Sequence, residues 1–253
     1  MRLRYRFLLS LIVGCLAFAG TAFAAKSIQP ATIGNGPMIH LGTNSTMSVS
    51  CVLGVPPPFS GGFTGLIGPP DDEYYTLIDP AACPASACTS PDPANSILLT
   101  TAHAGLFFPH QCVIAGHIVI VGAAGDPTCY TPDPTNILCG PVNFVLNPQG
   151  NLNVALDFAV PLPTCCINRP VFLGIIYDGT NCPGGEPGNL YQDPCQNCVE
   201  YNIFPGNPAP GTDLCPYLSG YGFGNPLYWV DATCCAPDAT VPHTWGRIKS
   251  LYR

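Results

Sequence analysis

Cysteine is the residue type in this chain with the most chemistry available to it. Fourteen cysteines follow position 24: Cys51, Cys83, Cys88, Cys112, Cys129, Cys139, Cys165, Cys166, Cys182, Cys195, Cys198, Cys215, Cys234 and Cys235. Cys195-Gln-Asn-Cys198 has the C-x-x-C spacing of a thiol redox centre or of half a zinc site. A redox pair needs a helix N-terminus to lower the pKa of its first thiol. Here Pro194 precedes the motif and the β-prone run CVEYNIF contains its end, so structural disulfides are the reading. Cys165-Cys166 and Cys234-Cys235 are adjacent pairs, each preceded by threonine. Neighbouring side chains on a strand point to opposite faces, so each member of a pair should bond a different partner.

The next candidates are aromatic. In the stretch from Tyr217 to Trp229, glycines alternate with Tyr221, Phe223, Tyr228 and Trp229, and Asn225 lies among them. Open ring faces beside a polar amide suit stacking on a sugar, so Tyr221, Phe223, Asn225, Tyr228 and Trp229 form the expected ligand site, with a glycan or surface component as partner. The competing use of such rings is to fill a core.

Other chemistry is less clearly marked. His103, His110 and His117 recur every seven residues, but odd spacing alternates strand faces, and Gly105 and Pro109 interrupt a helix. No metal ligand set is assigned. Asp71-Asp72-Glu73 and the Asp-Pro turns offer carboxylates for structural calcium in loops, without an EF-hand pattern; no other cofactor is expected. G-x-S-x-G, H-E-x-x-H and Walker sequences are absent, so no catalytic residue is assigned. A hydrolase built on an unmarked pair of aspartates stays open as an alternative.

The compartment decides how the cysteines are read. Arg2, Arg4 and Arg6 precede an apolar run from Phe7 to Gly20, and Ala22-Phe23-Ala24 supplies small residues, which together predict a signal peptide over 1–24 cleaved after Ala24. The rival is a lipobox ending at Cys15, but Leu16 to Ala19 continue the apolar run where a lipoprotein would turn polar. No later run is long enough for a transmembrane span. Removing 24 residues leaves an even number of cysteines in a secreted or extracytoplasmic chain, the pattern of a disulfide framework whose connectivity spacing cannot give. It also leaves five basic residues against 15 acids, and Arg169 is the only Lys or Arg between Ser27 and His243. Such a surface repels phosphate backbones, which excludes nucleic acid as a partner.

The elements that must position these residues are short strands. Thirty prolines and 27 glycines leave no room for long helices, yet apolar residues are too plentiful for disorder. Residues 55–95 read as loop. Strands are expected at Thr46 to Val52, Ser96 to Thr101, Gln111 to Val121, Val142 to Leu146, Leu152 to Val160, Arg169 to Tyr177, Cys198 to Phe204 and Leu227 to Cys234. The turn Asn147-Pro-Gln-Gly-Asn151 is expected to join two of them as a hairpin. The fold class is therefore all-β: a disulfide-rich, jelly-roll-like β-sandwich over 25–239 with long Pro/Gly loops, loop-rich over 26–140 and clearer in strands over 141–239. Cys88 to Asn95 and Cys129 to Asn136 share the pattern C-x-[S/T]-P-D-P-x-N, read as one turn solution used twice. A short cationic tail over 240–253 follows, in which Thr244 would cap a helix carrying Trp245 and Ile248.

The runs TCCINRPVFLGIIY, CVEYN, LYWVDATCC and TWGRIKSLYR resemble the C-terminal half of uncharacterised secreted, cysteine-rich β-domain proteins of bacteria that end in a Trp-Gly tail. The likeness covers about residues 155–253. It implies export and β-architecture and transfers no functional residue. The expected function is a secreted or cell-surface, non-enzymatic β-domain that binds a glycan or surface component, with a structural envelope or matrix role as the first alternative.

Overall fold

In the computed structural model, residues 28–34, 36–42, 51–65, 67, 71–84, 96–182 and 186–235 are described. The expected signal peptide, Cys15, Cys88, the first copy of the C-x-[S/T]-P-D-P-x-N pattern, the tail and residues 46–50 of the expected first strand lie outside them.

The polypeptide forms fifteen strands among the described residues: β1 Gln29–Ala31, β2 Ile39–Gly42, β3 Cys51–Gly54, β4 Gly61–Thr64, β5 Asp72–Ile78, β6 Ile97–Phe107, β7 Val113–Asp126, β8 Cys129–Leu146, β9 Leu156–Ile167, β10 Val171–Asn181, β11 Gly188–Gln192, β12 Glu200–Phe204, β13 Asn207–Asp213, β14 Asn225–Pro226 and β15 Tyr228–Cys234. A short α-helix, α1, spans Leu214–Ser219. The strands make two sheets. The first runs β1-β4-β11-β6-β15-β3, with β9 on the other flank of β6, β2 against β9 and β14 against β11. The second runs β13-β12-β5-β10-β7-β8. All pairings are antiparallel except β2 with β9. No helix among the described residues is long and apolar enough to cross a membrane.

Side-chain alternation explains why two sheets of this size stack. On β7, Ile114, Ile118 and Ile120 face the core between the sheets, and on β10 Leu173, Ile175 and Tyr177 do the same. The first sheet answers with Leu99, Ala102, Ala104 and Leu106 of β6 and Phe158 of β9. The intervening residues are also buried. Val119, Val121, Phe172, Ile176, Tyr75, Tyr201 and Ile203 form a second cluster on the opposite face of the six-stranded sheet, with Tyr130 of β8 against it. Phe107, Leu190, Leu227 and Trp229 form a third on the outer face of the other sheet, beside Ile33 and Met38. The loop-rich and strand-clear parts of the sequence interleave, since β6 pairs with both β9 and β15.

Two expectations are corrected. The turn at 147–151 does not close a hairpin: β8 belongs to one sheet and β9 to the other, so this turn carries the chain across the sandwich. The hairpin in this region is instead β7–β8, closed at Asp126↔Cys129. The turn residues between Leu146 and Leu156 mark a reversal, but they cannot specify whether the reversed chain pairs with its predecessor. Second, the supposed loop 55–95 contains β5, which is flanked by β10 and β12 in the second sheet. Its inward positions Asp72 and Thr76 are polar, which erases the apolar alternation a strand would display.

Candidate functional site

The adjacent cysteines divide between the two faces. Cys165, buried, bonds Cys139 on β8 and so ties the two sheets together; Cys166, on the other face, bonds Cys235 beyond β15. The C-x-x-C cysteines do not bond each other: Cys195 joins Cys215 in α1, and Cys198 joins Cys129 at the start of β8. Cys51 bonds Cys83, Cys112 bonds Cys182, and Cys234 is disulfide-bonded as well.

The expected aromatic site is largely interior. Phe223, Asn225, Tyr228 and Trp229 are buried, while Tyr221 is 50% exposed. Phe223 stacks on Phe63 at 5.0 Å, and Tyr228 leans on Tyr74 at 5.6 Å, both within the core between the sheets. The five residues therefore do not make an open stacking surface. The strand signal in LYWVDATC explains this: Tyr228 and Val230 face inward, and Trp229 faces outward under its own covering cluster. What remains at the surface is Tyr221, whose ring meets Tyr217 edge-on at 5.5 Å. These rings sit on a fastened support. Asp213 caps α1 by accepting from Cys215 N and also accepts from Cys198 N at 2.8 Å. Cys195–Cys215 anchors the helix, and Gly222 turns the chain at φ +80° directly after Tyr221.

Two polar groupings emerge that no sequence pattern announced. The first lies on the outer face of the nine-stranded sheet. Asp157 of β9 lies 2.8 Å from Nδ1 of His103 on β6. Asp231 of β15 lies 3.3 Å from Nε2, within ion-pair range but off the line of a good hydrogen bond. Asp157 also meets Nδ1 of His40 on β2 at 2.6 Å. The His103 ring stacks on Trp229 at 4.7 Å with an interplanar angle of 8°. Burial by itself disfavours the charged ring, but the hydrogen bonds and charges of Asp157 and Asp231 outweigh it and raise His103 from 6.5 to about 9. Register alone assembles the group: Gly105 faces Asp157, Thr101 faces Asp231, and His40 faces Asp157.

The second grouping lies between the sheets. Asp72 accepts from Asn202 Nδ2 at 2.9 Å and from the Tyr74 hydroxyl at 3.2 Å. Thr76 donates to Glu200 Oε1 at 2.9 Å and the Asn225 amide lies beside the same carboxyl, whose Oε2 is buried with no hydrogen-bond partner among the described residues. The Tyr228 hydroxyl donates to Asn189 and lies 3.2 Å from that of Tyr177. Burial drives Glu200 well above the usual carboxyl range, against the opposing hydrogen bonds from Thr76 and Asn225, so the site favours the protonated acid. Burial likewise raises Tyr74 and Tyr228.

The three evenly spaced histidines do not converge: His103 faces Asp157 and Asp231, whereas His117 on the other sheet meets Asp178 at 3.2 Å. Among the described residues, no group of three His, Cys, Asp or Glu is placed to hold a metal ion. As for chemistry, Asp157 and Asp231 are two carboxylates that converge on one ring, but the imidazole of His103 fills the space where a glycosidase places sugar and water. A ring holding its proton to about pH 9 is also a poor general base near neutrality. No protein-family model, curated protein or solved structure matches this chain.

Proposed function

We propose that this chain is a secreted, non-enzymatic β-domain that binds a glycan or another surface component at its stapled Tyr217–Tyr221 tip. One observation carries the reading: Tyr221 is half exposed on a turn fastened by the Cys195–Cys215 disulfide and the Asp213 cap. A ring held on a rigid support stacks on a ligand without a large ordering cost. The buried ionisable groups His103, Asp157, Asp72 and Glu200 fit a scaffold role, because each joins one strand to another. A signal peptide cleaved after Ala24 would deliver the chain to an oxidising compartment, where its disulfides persist. Glycan arrays and pull-downs with the oxidised protein, repeated with Tyr221→Ala, test this: binding that the variant loses supports it, and two empty screens remove it.

A structural envelope or matrix role is the second reading, favoured by the density of disulfides. Assembly by simple strand addition has obstacles at three edges, since β1, β8 and β13 contain proline (Pro30; Pro132, Pro134 and Pro141; Pro208 and Pro210), whereas the edge strands β2 and β3 do not. Light scattering of the purified protein over a concentration series separates the two readings.

A further inference from the structure

We infer that His103, Asp157 and Asp231 form a proton-held latch, in which one proton on the imidazole ties β6, β9 and β15 together. Both ring nitrogens face carboxylates, Nδ1 at 2.8 Å from Asp157 and Nε2 at 3.3 Å from Asp231. A neutral imidazole has one N–H. The closer, better-aligned bond to Asp157 would claim it, leaving the Nε2 lone pair opposed to the Asp231 carboxylate. Only the imidazolium serves both carboxylates, with a hydrogen bond to Asp157 and an ion pair to Asp231.

The stacking partner favours the same state. An imidazolium lying flat on an indole gains a cation–π attraction that a neutral ring lacks, and Trp229 lies parallel to His103 at 4.7 Å. The charged and titratable groups around the ring are Asp157 from β9, Asp231 from β15 and, on the far side of Asp157, His40 from β2. Its own strand contributes the neutral Thr101, whose buried hydroxyl has no hydrogen-bond partner among the described residues. Two acids against one buried ring explain why the release lies on the alkaline side. His103 gives up its proton near pH 9, and β15, held through Asp231, is then the first strand to be released. The latch is thus closed at neutral pH and opens on the alkaline side.

Trp229 reports on the latch, since the chain contains one other tryptophan, Trp245. In the oxidised full chain carrying Trp245→Phe, a protonated His103 quenches Trp229, so emission should stay low at pH 7 and rise with a midpoint near 9. Asp231→Asn should lower that midpoint by about one to three units, the effect of removing one close opposite charge. His103→Gln should abolish the transition; if that variant does not fold, Asp231→Asn carries the test. Hydrogen exchange across residues 228–234 should quicken above the same midpoint. A midpoint at 6.5 or below, a midpoint that Asp231→Asn leaves unmoved, or histidine-ring NMR showing a neutral ring at pH 7 would overturn the latch. Unchanged exchange in β15 through the transition would overturn it as well.

Discussion

Asp157 and Glu200 are both buried carboxyls in the same sandwich, one on the outer face of the nine-stranded sheet and one between the sheets. Asp157 has a cationic ring at 2.8 Å and a second histidine at 2.6 Å. Glu200 has Thr76, Asn225 and the Tyr228 ring as neighbours instead, and burial pushes its pKa well above the usual carboxyl range. The difference follows from a shortage. With Arg169 the only Lys or Arg between Ser27 and His243, the interior has almost no fixed cations to offer. Where histidine reaches a carboxyl the fold uses an ion pair; elsewhere it uses protonation and amide or hydroxyl partners.

That contrast can be broken in a definite order of effect. His103→Ala should be the most damaging change, because it leaves Asp157 buried with only the exposed His40 and also removes the ring stacked on Trp229. Stripping one partner from a buried pair costs about 3–5 kcal/mol, and urea unfolding would register it as a lower midpoint at unchanged slope. Tyr228→Phe comes next. It deprives Asn189 and Tyr177 of a buried hydroxyl partner, at about 1–3 kcal/mol by the same measurement.

The two sites should also separate by pH. Each group has a folded-state pKa above its unfolded value, so each contributes stability that is present at low pH and lost as pH rises through the folded value. For Glu200 the loss begins above about 4.5, as the unfolded carboxyl ionises and the folded one does not. For His103 it begins above 6.5 and is complete past about 9. Thermal midpoints should therefore decline from mildly acidic to alkaline pH; Glu200→Gln should flatten the early part of the decline and leave the later part intact. Midpoints that hold steady or rise from mildly acidic to alkaline pH would count against both assignments. The smallest effect is Glu200→Gln at neutral pH, expected to cost less than about 1 kcal/mol, because one neutral group replaces another. A loss as large as that of His103→Ala would mean that Glu200 is ionised in the fold.

Particular elements show where reading the residues succeeds. Cys165 and Cys166 must face opposite ways wherever a strand carries them, and they bond Cys139 and Cys235 respectively. The β-branched runs of β7, β10 and β15 are visible for the same reason, since their alternation is local. β5 is not visible, because Asp72 and Thr76 are satisfied by Asn202 and Glu200, more than a hundred residues away. The aromatic stretch is legible as a set of large rings, but not as to which way they face. That depends on β15 lying between β6 and β3, which buries Tyr228 on one side and Trp229 on the other.

Local chemistry alone thus determined the all-β class, the dependence on disulfides, the acidic balance and the scarcity of helices, because proline content, alternation and charge act over a few residues. Only the tertiary structure decided which cysteines pair, that the chain crosses between sheets at 147–151, and that His40, His103, Asp157 and Asp231 meet. Those outcomes rest on strand register between β2, β6, β9 and β15, segments far apart in the chain, and no short-range pattern encodes such a register.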